Sequence, residues 1–497
     1  MMNSQGKSDT PVVPTKSPNK AKTPAAEVME GRGVAKGNTS QQNASRTQRR
    51  ISAPSALERV RQAAKRDRKA KFTALLHHVT VDKLRESFFS LKKKAAPGVD
   101  GVTWEQYQTG LEDKLLGLHE RLHKGAYRAK PSRRAYILKA DGRLRPLGIA
   151  SLEDKLVQRA IVEVLNAIYE EDFLGFSYGF RPGRRQHDAL DALAAGMQMK
   201  KVSWVLDADI RGFFDAIDRA WLMKFVEHRI ADRRVLRLIQ KWLSAGVMED
   251  GRVTESNEGT PQGATISPLL ANIYLHYVLD SWVHQWRNRH ASGDMIITRY
   301  ADDFIVGFQH RKEAEKFLGE LRQRLGQFSL ELHPDKTRLI EFGRFAAERR
   351  EKRGERRPET FNFLGFTHVC GRSESGKYVM ARRTMRTRMQ TKLREVKAEL
   401  RRRMHLSIPV QGAWLASVVR GHFAYYAVPT NLHSLRAFRT AVEKLWLQSL
   451  QRRSQRDRMR WDRMHVLTQR WVPRPRIQHP WPDERFDVRT RGKSRVR

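Results

Sequence analysis

The chain has 497 residues, 95 of them Lys or Arg against 54 Asp or Glu, for a formal net charge of +41 at pH 7. Such a length accommodates two to four domains with a sizeable core, and such a charge points to a polyanionic partner, nucleic acid first among them. A single cysteine, Cys370, excludes disulfide frameworks and Cys-ligated zinc modules, and without a long apolar run or a hydrophobic N-terminus neither a membrane span nor a secretory signal is expected, which suits a reducing cytoplasm.

The charge is unevenly spread. Residues 381–497 hold 29 basic and 8 acidic side chains, a net of +21, while residues 1–80 hold 16 and 5, a net of +11. The remainder is composed like an enzyme, and the flanks like binding arms. Residues 1–55 are Ser, Thr, Pro, Asn, Gln and Lys with little to bury, so a disordered basic tail is predicted; a transit peptide fits less well, because no amphipathic helix is evident. Helical periodicity begins near Ala56, and its basic run from Arg59 to Lys71 suits either phosphate contact or a solvated face. Lys94 to Val102 contains Pro97-Gly98 and Asp100-Gly101 and reads as a basic loop with two turns.

Arg134–Lys139 and Arg143–Ile149 read as two strands around an Asp141-Gly142 turn. Lys139 and Arg145 would stand on its arms, placed to hold a triphosphate. Leu152 to Tyr169 is helical by spacing. Phe176 to Arg184 interleaves aromatics with arginine ahead of a helix near His187, a pattern that suits either base stacking or core packing; His187 itself reads as a surface or cap residue. Trp204 to Ile210 is an apolar strand ending in acids, and Asp207 and Asp209 share one of its faces, so spacing alone does not choose between them as a metal ligand. If Asp209 binds metal beside a nucleotide sugar, Phe214 would exclude a 2′-hydroxyl, while one of Phe213 and Phe214 must be core.

Residues 232–243 form the next predicted helix. In the loop from Gly259, Gln262 could offer its amide to a base or sugar, with Ser267 expected as N-cap and Pro268 as first residue of the following helix. Met295–Tyr300 and Phe304–Phe308 read as a hairpin carrying Asp302 and Asp303 at its tip. Adjacent anions call for a hard divalent cation and a further carboxylate from elsewhere in the chain, as two-metal phosphoryl transfer requires. After a helix over 311–328, Lys336 is either a cation for a departing pyrophosphate or a turn lysine. In the last quarter, Met389, Leu393, Val396, Leu400 and Met404 make one apolar stripe, and Leu435, Phe438, Val442 and Leu445 another. The basic faces, with Arg394, Lys397, Arg401 and Arg402 on the first helix and Arg452 and Arg453 after the second, are assigned to RNA contact.

Taken in order, Lys94 to Gly101, the Lys139–Arg145 hairpin, Asp209 to Phe214, Pro261-Gln262-Gly263, Tyr300 to Asp303, Lys336 and Phe363-Leu364-Gly365 look like the successive blocks of a reverse transcriptase. Trp414, Gly421, Tyr425-Tyr426, Asn431, Trp446, Arg452 to Gln455 and Trp461 resemble the maturase, or thumb-like X, domain of bacterial group II intron-encoded proteins. The resemblance implies an α+β right-hand polymerase. Its fingers and palm, with an antiparallel sheet, would span 56–380, its α-helical thumb/maturase domain 381–475, and a basic C-terminal tail 476–497. It implies Asp209, Asp302 and Asp303 as ligands of two Mg²⁺ ions, with the Ile210 carbonyl adding an oxygen and Asp207 in support. It further implies Phe214 as gate against ribose, Gln262 beside the incoming nucleotide, and Lys139 and Arg145 as finger contacts. The implied partners are the parent intron RNA, an RNA template with DNA primer, dNTPs and a DNA target.

Two departures stand out. Ala264-Thr265 follows Gln262-Gly263 where the family often has a second glycine and an aliphatic, and no Cys pairs follow the X-like region, so no endonuclease domain is expected. The competing readings are a retron, CRISPR-associated or phage-defence reverse transcriptase, an RNA-binding splicing factor without catalysis, and an RNA-templated RNA polymerase, against which Phe214 stands.

Overall fold

The protein is described from a computed structural model covering residues 56–138, 144–249, 252–254, 259, 263–453 and 459–485. The 1–55 tail, the Asp141-Gly142 turn, Lys139, Gln262 and the chain after 485 lie outside the described residues.

In chain order the strands are β1 (Ser132–Leu138), β2 (Leu144–Ile149), β3 (Trp204–Asp209), β4 (Val247–Glu249), β5 (Arg252–Thr254), β6 (Met295–Tyr300), β7 (Asp303–Phe308), β8 (Arg338–Glu341), β9 (Phe361–Phe363), β10 (Phe366–Arg372) and β11 (Tyr378–Thr384). They form three sheets, ordered β2-β1-β4-β5, β6-β7-β3-β8 and β11-β10-β9. The first has one parallel pairing, β1 with β4, and the other two are wholly antiparallel. With long helices before, between and after them, the chain is of mixed α+β type.

The β6-β7-β3-β8 sheet is the centre. Its strands read as continuous apolar runs because helices and loops cover both faces: Ile296, Ile297, Phe304, Ile305, Val306 and Phe308 are all buried. The helix Gln186–Met199 packs against β6, and the helix Arg311–Gly326 packs against β3 and β7. Gly307 is required by that packing, since a Cβ there would come within 2.8 Å of both Ile296 and Val202 side chains. One continuous core runs from Ala64 through this sheet to Phe366.

The helices Arg386–Arg402, Ile408–Tyr426, Leu432–Gln451 and Trp461–Trp471 bury a second core around Val396, Leu415, Phe438, Val442, Trp446 and Met464. This region is tied to the small β9–β11 sheet by polar contacts. Asn431 donates to Thr384 Oγ1 at 2.9 Å and accepts from the Thr384 amide at 2.9 Å, and Tyr425 donates to the Leu364 carbonyl at 2.8 Å. Gly365, at φ +79°, sits under Tyr426, whose hydroxyl would be 3.0 Å from any Cβ there.

Residue 381 lies inside β11, and helix resumes at Arg386. Two local expectations are corrected. Ser267 is the first helical residue and not the N-cap. Ile266, already in the right-handed helical region, precedes it, and Pro268 is second. His187 is not a surface histidine: its Nε2 meets the Tyr425 carbonyl at 2.8 Å and its ring stacks on His479 at 4.1 Å, joining the helix Gln186–Met199 to the C-terminal region. Among the described residues no helix is long and apolar enough to cross a membrane.

Candidate active site

Antiparallel pairing of β3 with β7 sets Asp209 directly opposite Asp303, while Asp207 lies opposite Ile305. Tyr300 is the other neighbour of Asp303, so Ala301 and Asp302 make the turn between β6 and β7, with Ala301 left-handed at φ +58°. The two acids that share a face of β3 are thereby told apart. Asp207 pairs with Arg338, its cross-strand neighbour on β8, at 3.4 Å. Asp209, at the strand end, takes an ion pair from Lys336. That lysine is brought there by the backbone: the His333 amide donates to the Asp209 carbonyl at 2.8 Å, Leu332 bridges Ile210, and the Thr337 amide closes a turn on His333.

The site carries excess negative charge. Burial first, then the charges of Asp207, Asp302 and Asp209, push the Asp303 carboxyl well above its usual range. Asp302 is raised by burial and by Asp209, and the cations of Arg145 and Lys336 act against the rise. Asp207 is pushed up to about 6 by burial, opposed by Arg338. Among the described residues no three such side chains are drawn into a closed metal cluster. Neighbouring carboxylates repel unless a cation or a proton lies between them. An all-oxygen donor set with uncompensated negative charge fits a hard divalent ion and does not fit zinc held by sulfur or imidazole.

The tip is held from behind by Arg299, inside the strand Met295–Tyr300. Arg299 is fully buried, and all five guanidinium N–H groups are used: two on the Asp280 carboxylate at 2.7 and 2.5 Å, two on Asn272 Oδ1 and the Ala301 carbonyl at 3.1 and 2.8 Å, and one on Ser177 Oγ at 2.7 Å. The Ala301 carbonyl immediately precedes Asp302, so the turn is fixed at the acid itself. The sequence does show an arginine directly after the apolar run Met295-Ile296-Ile297-Thr298, and a buried arginine needs a partner acid.

The remaining assigned residues divide. Arg145 stands exposed on β2, near enough for its charge to act on Asp302. Phe213 is core and Phe214 half-buried, their rings edge to face at 5.5 Å. Gln262 lies outside the described residues, but its neighbour Gly263, at φ +104°, rests on Gly148 of β2, where a Cβ would meet the carbonyl at 2.8 Å. Arg394, Lys397 and Arg401 are exposed on the helix Arg386–Arg402, and Arg452 and Arg453 are exposed beyond Leu432–Gln451. Ser449 donates to the Leu400 carbonyl at 3.3 Å, so the C-terminal ends of these two helices lie together on the second core.

The reverse transcriptase (RNA-dependent DNA polymerase) family matches residues 137–368, the span that holds Arg145, all three acids and Lys336. The chain is 36% identical over 281 residues to the protein YkfC of Escherichia coli, covering 50% of this chain and 74% of YkfC. It is 38% identical over 201 residues to the group II intron-encoded protein LtrA of Lactococcus lactis, covering 40% of this chain and 33% of LtrA. A 91 kDa protein in a cob intron of Schizosaccharomyces pombe is 40% identical over 176 residues, 35% of this chain and 21% of that one. The chain belongs to the group II intron reverse transcriptase/maturase family.

The chain spans about a third of LtrA, so the likeness to that relative concerns part of its length. The carboxylates that could serve as donors to a hard divalent ion stand at the β3 end and in the β6–β7 turn. Arg299→Met is expected to cost about 3–5 kcal/mol, because it strands the buried Asp280 carboxylate. Adding Asp280→Leu should return most of that stability while DNA synthesis stays low, since the Ala301 carbonyl still lacks its donor. Melting curves and extension rates of the two variants check this, and full activity in the stable double variant would take Arg299 out of the positioning role.

Proposed function

We propose that the chain is an RNA-directed DNA polymerase encoded by a group II intron, copying an RNA template from a DNA primer with dNTPs and binding its intron RNA to assist splicing and movement into a DNA target. The observation that carries this is the register of β3 against β7, which sets Asp209 beside Asp303 with Asp302 in the adjoining turn. On this reading the β6-β7-β3-β8 sheet is the palm, the β1–β2 hairpin belongs to the fingers, and the helices from Arg386 onward are the thumb.

Asp209, Asp302 and Asp303, with the Ile210 carbonyl, would hold two Mg²⁺ ions, which when bound supply Lewis-acid activation of the primer 3′-hydroxyl and neutralise charge on the triphosphate. Lys336, paired with Asp209 at the strand end, would supply a cation or acid to the departing pyrophosphate. Arg145 meets the triphosphate from the finger side, and Lys139 and Gln262 are assigned nucleotide contacts beside it. Phe213 is core, and Phe214, half-buried beside it, is the residue assigned to face the sugar, where its ring offers a 2′-hydroxyl no hydrogen bond. Arg394, Lys397, Arg401, Arg452 and Arg453, all exposed on the helical region, bind RNA by phosphate contact. The reaction is assigned to the cytoplasm.

Asp302→Ala is expected to abolish extension of a DNA primer on an RNA template with dNTPs and Mg²⁺ while filter-bound RNA affinity stays within about twofold of wild type, since phosphate-contacting cations carry that affinity. Full extension by the variant rejects the site, and RNA binding without extension in the wild type favours a splicing factor that does not polymerise. Phe214→Val is expected to ease ribonucleotide incorporation by about 10- to 100-fold, the range a lost steric contact supports; unchanged sugar discrimination in single-nucleotide extension would reject the gate.

A further inference from the structure

The loop Phe176–Arg184 is built to present one side chain. Ser177 bridges Arg299 in parallel, the Tyr178 amide donates to the Arg299 carbonyl at 2.9 Å, and the Arg299 amide donates to the Phe176 carbonyl at 2.9 Å, so the loop runs as an extra edge along β6. Phe176 and Tyr178 are 3% and 1% exposed and are core, which decides between the two sequence readings for them. Asn272 holds the Gly179 carbonyl at 2.7 Å, and Gly179 passes so close to the turn that a Cβ would lie 2.3 Å from the Ala301 nitrogen. Arg181, buried again, grips both Glu170 oxygens and the Leu174 and Ser177 carbonyls at 2.7–3.1 Å.

Between these two clamps stands Phe180. It is 47% exposed, its φ of +58° is a conformation that bulky residues rarely adopt, and its ring lies 6.4 Å from that of Tyr300, two residues before Asp302. A strained backbone that exposes an aromatic beside reacting acids serves neither packing nor stability, and such strain persists where the surroundings over-determine it. An uncharged ring at that position offers phosphate nothing, but stacks on or packs against a nucleobase.

We infer that Phe180 is a binding residue for the nucleobase at the growing primer 3′ end, holding the terminal nucleotide over the Asp302 turn; this rests on the polymerase reading above. Phe180→Ala and Phe180→Gly should each weaken primer–template affinity roughly 5- to 100-fold, the range of one lost base–aromatic contact, and Phe180→Trp should stay within about twofold of wild type. Glycine relieves the left-handed strain, so the melting temperature of Phe180→Gly should equal or exceed that of wild type, which a merely structural role would not allow. An abasic residue at the primer terminus should erase the difference between wild type and Phe180→Ala. Wild-type affinity in both small variants overturns the inference, as does erasure only by an abasic residue in the template. If wild type does not extend primers at all, it is the polymerase reading that fails, whereas extension by wild type with unaltered affinity in the variants sinks this inference alone.

Discussion

Everything at this site depends on holding like charges together. β-sheet register is a way to do it, because the pairing of Trp204 to Asp209 with Phe308 to Asp303 is specified along its length by buried Val205, Leu206, Phe304, Ile305 and Val306, and a slip of one residue would carry each of them to the opposite, differently packed face of the sheet. The repulsion at the end of the ladder is carried by packing elsewhere. The Asp303 carboxyl is raised by burial and its acidic neighbours, with Lys336 acting against the rise there and Arg145 and Lys336 acting against it at Asp302.

The same constraint explains the second buried charge. A turn carrying two acids has no apolar contacts of its own, so it is fixed from inside by Arg299, whose charge is balanced by Asp280 and whose remaining donors reach Ala301, Asn272 and Ser177. Three separate segments therefore meet at one guanidinium, and the loop bearing Phe180 is locked to the turn by the same contact. The helical region is attached differently, through Asn431 and the Tyr425–Tyr426 pair on the β9–β10 turn. Its basic surface thus stands on a second core, joined to the β9–β11 sheet by these polar contacts and by the rings of Tyr425 and Tyr426 against Phe366.

The sequence made the local elements legible where periodicity and turn residues agreed. The hairpin around Asp302, the strand ending at Asp209 and the helices with apolar stripes all stand within a few residues of the expected bounds. Spacing could not separate Asp207 from Asp209, because both face the same way; only the partner strands do, Arg338 opposite one and Asp303 opposite the other. Arg299 was visible as a charge in an apolar strand, but its partners come from residues 177, 272 and 280, and contacts at such separation leave no local trace. His187 was misread for the same reason, its neighbours Tyr425 and His479 being over 200 residues away in the chain. Ser267 was misread through a strong local preference that a preceding turn, already helical at Ile266, overrode.

The most direct measurement of whether Asp209, Asp302 and Asp303 share one divalent site is metal-directed cleavage: ferrous iron is bound in place of the native ion, and ascorbate with peroxide generates hydroxyl radicals that cut the backbone beside it. Fragments should end near residue 209 and near residues 302–303 in the same sample, and both sets should be competed away together by excess magnesium. Cuts at only one of the two stretches, or cuts scattered without regard to either, would contradict the shared site.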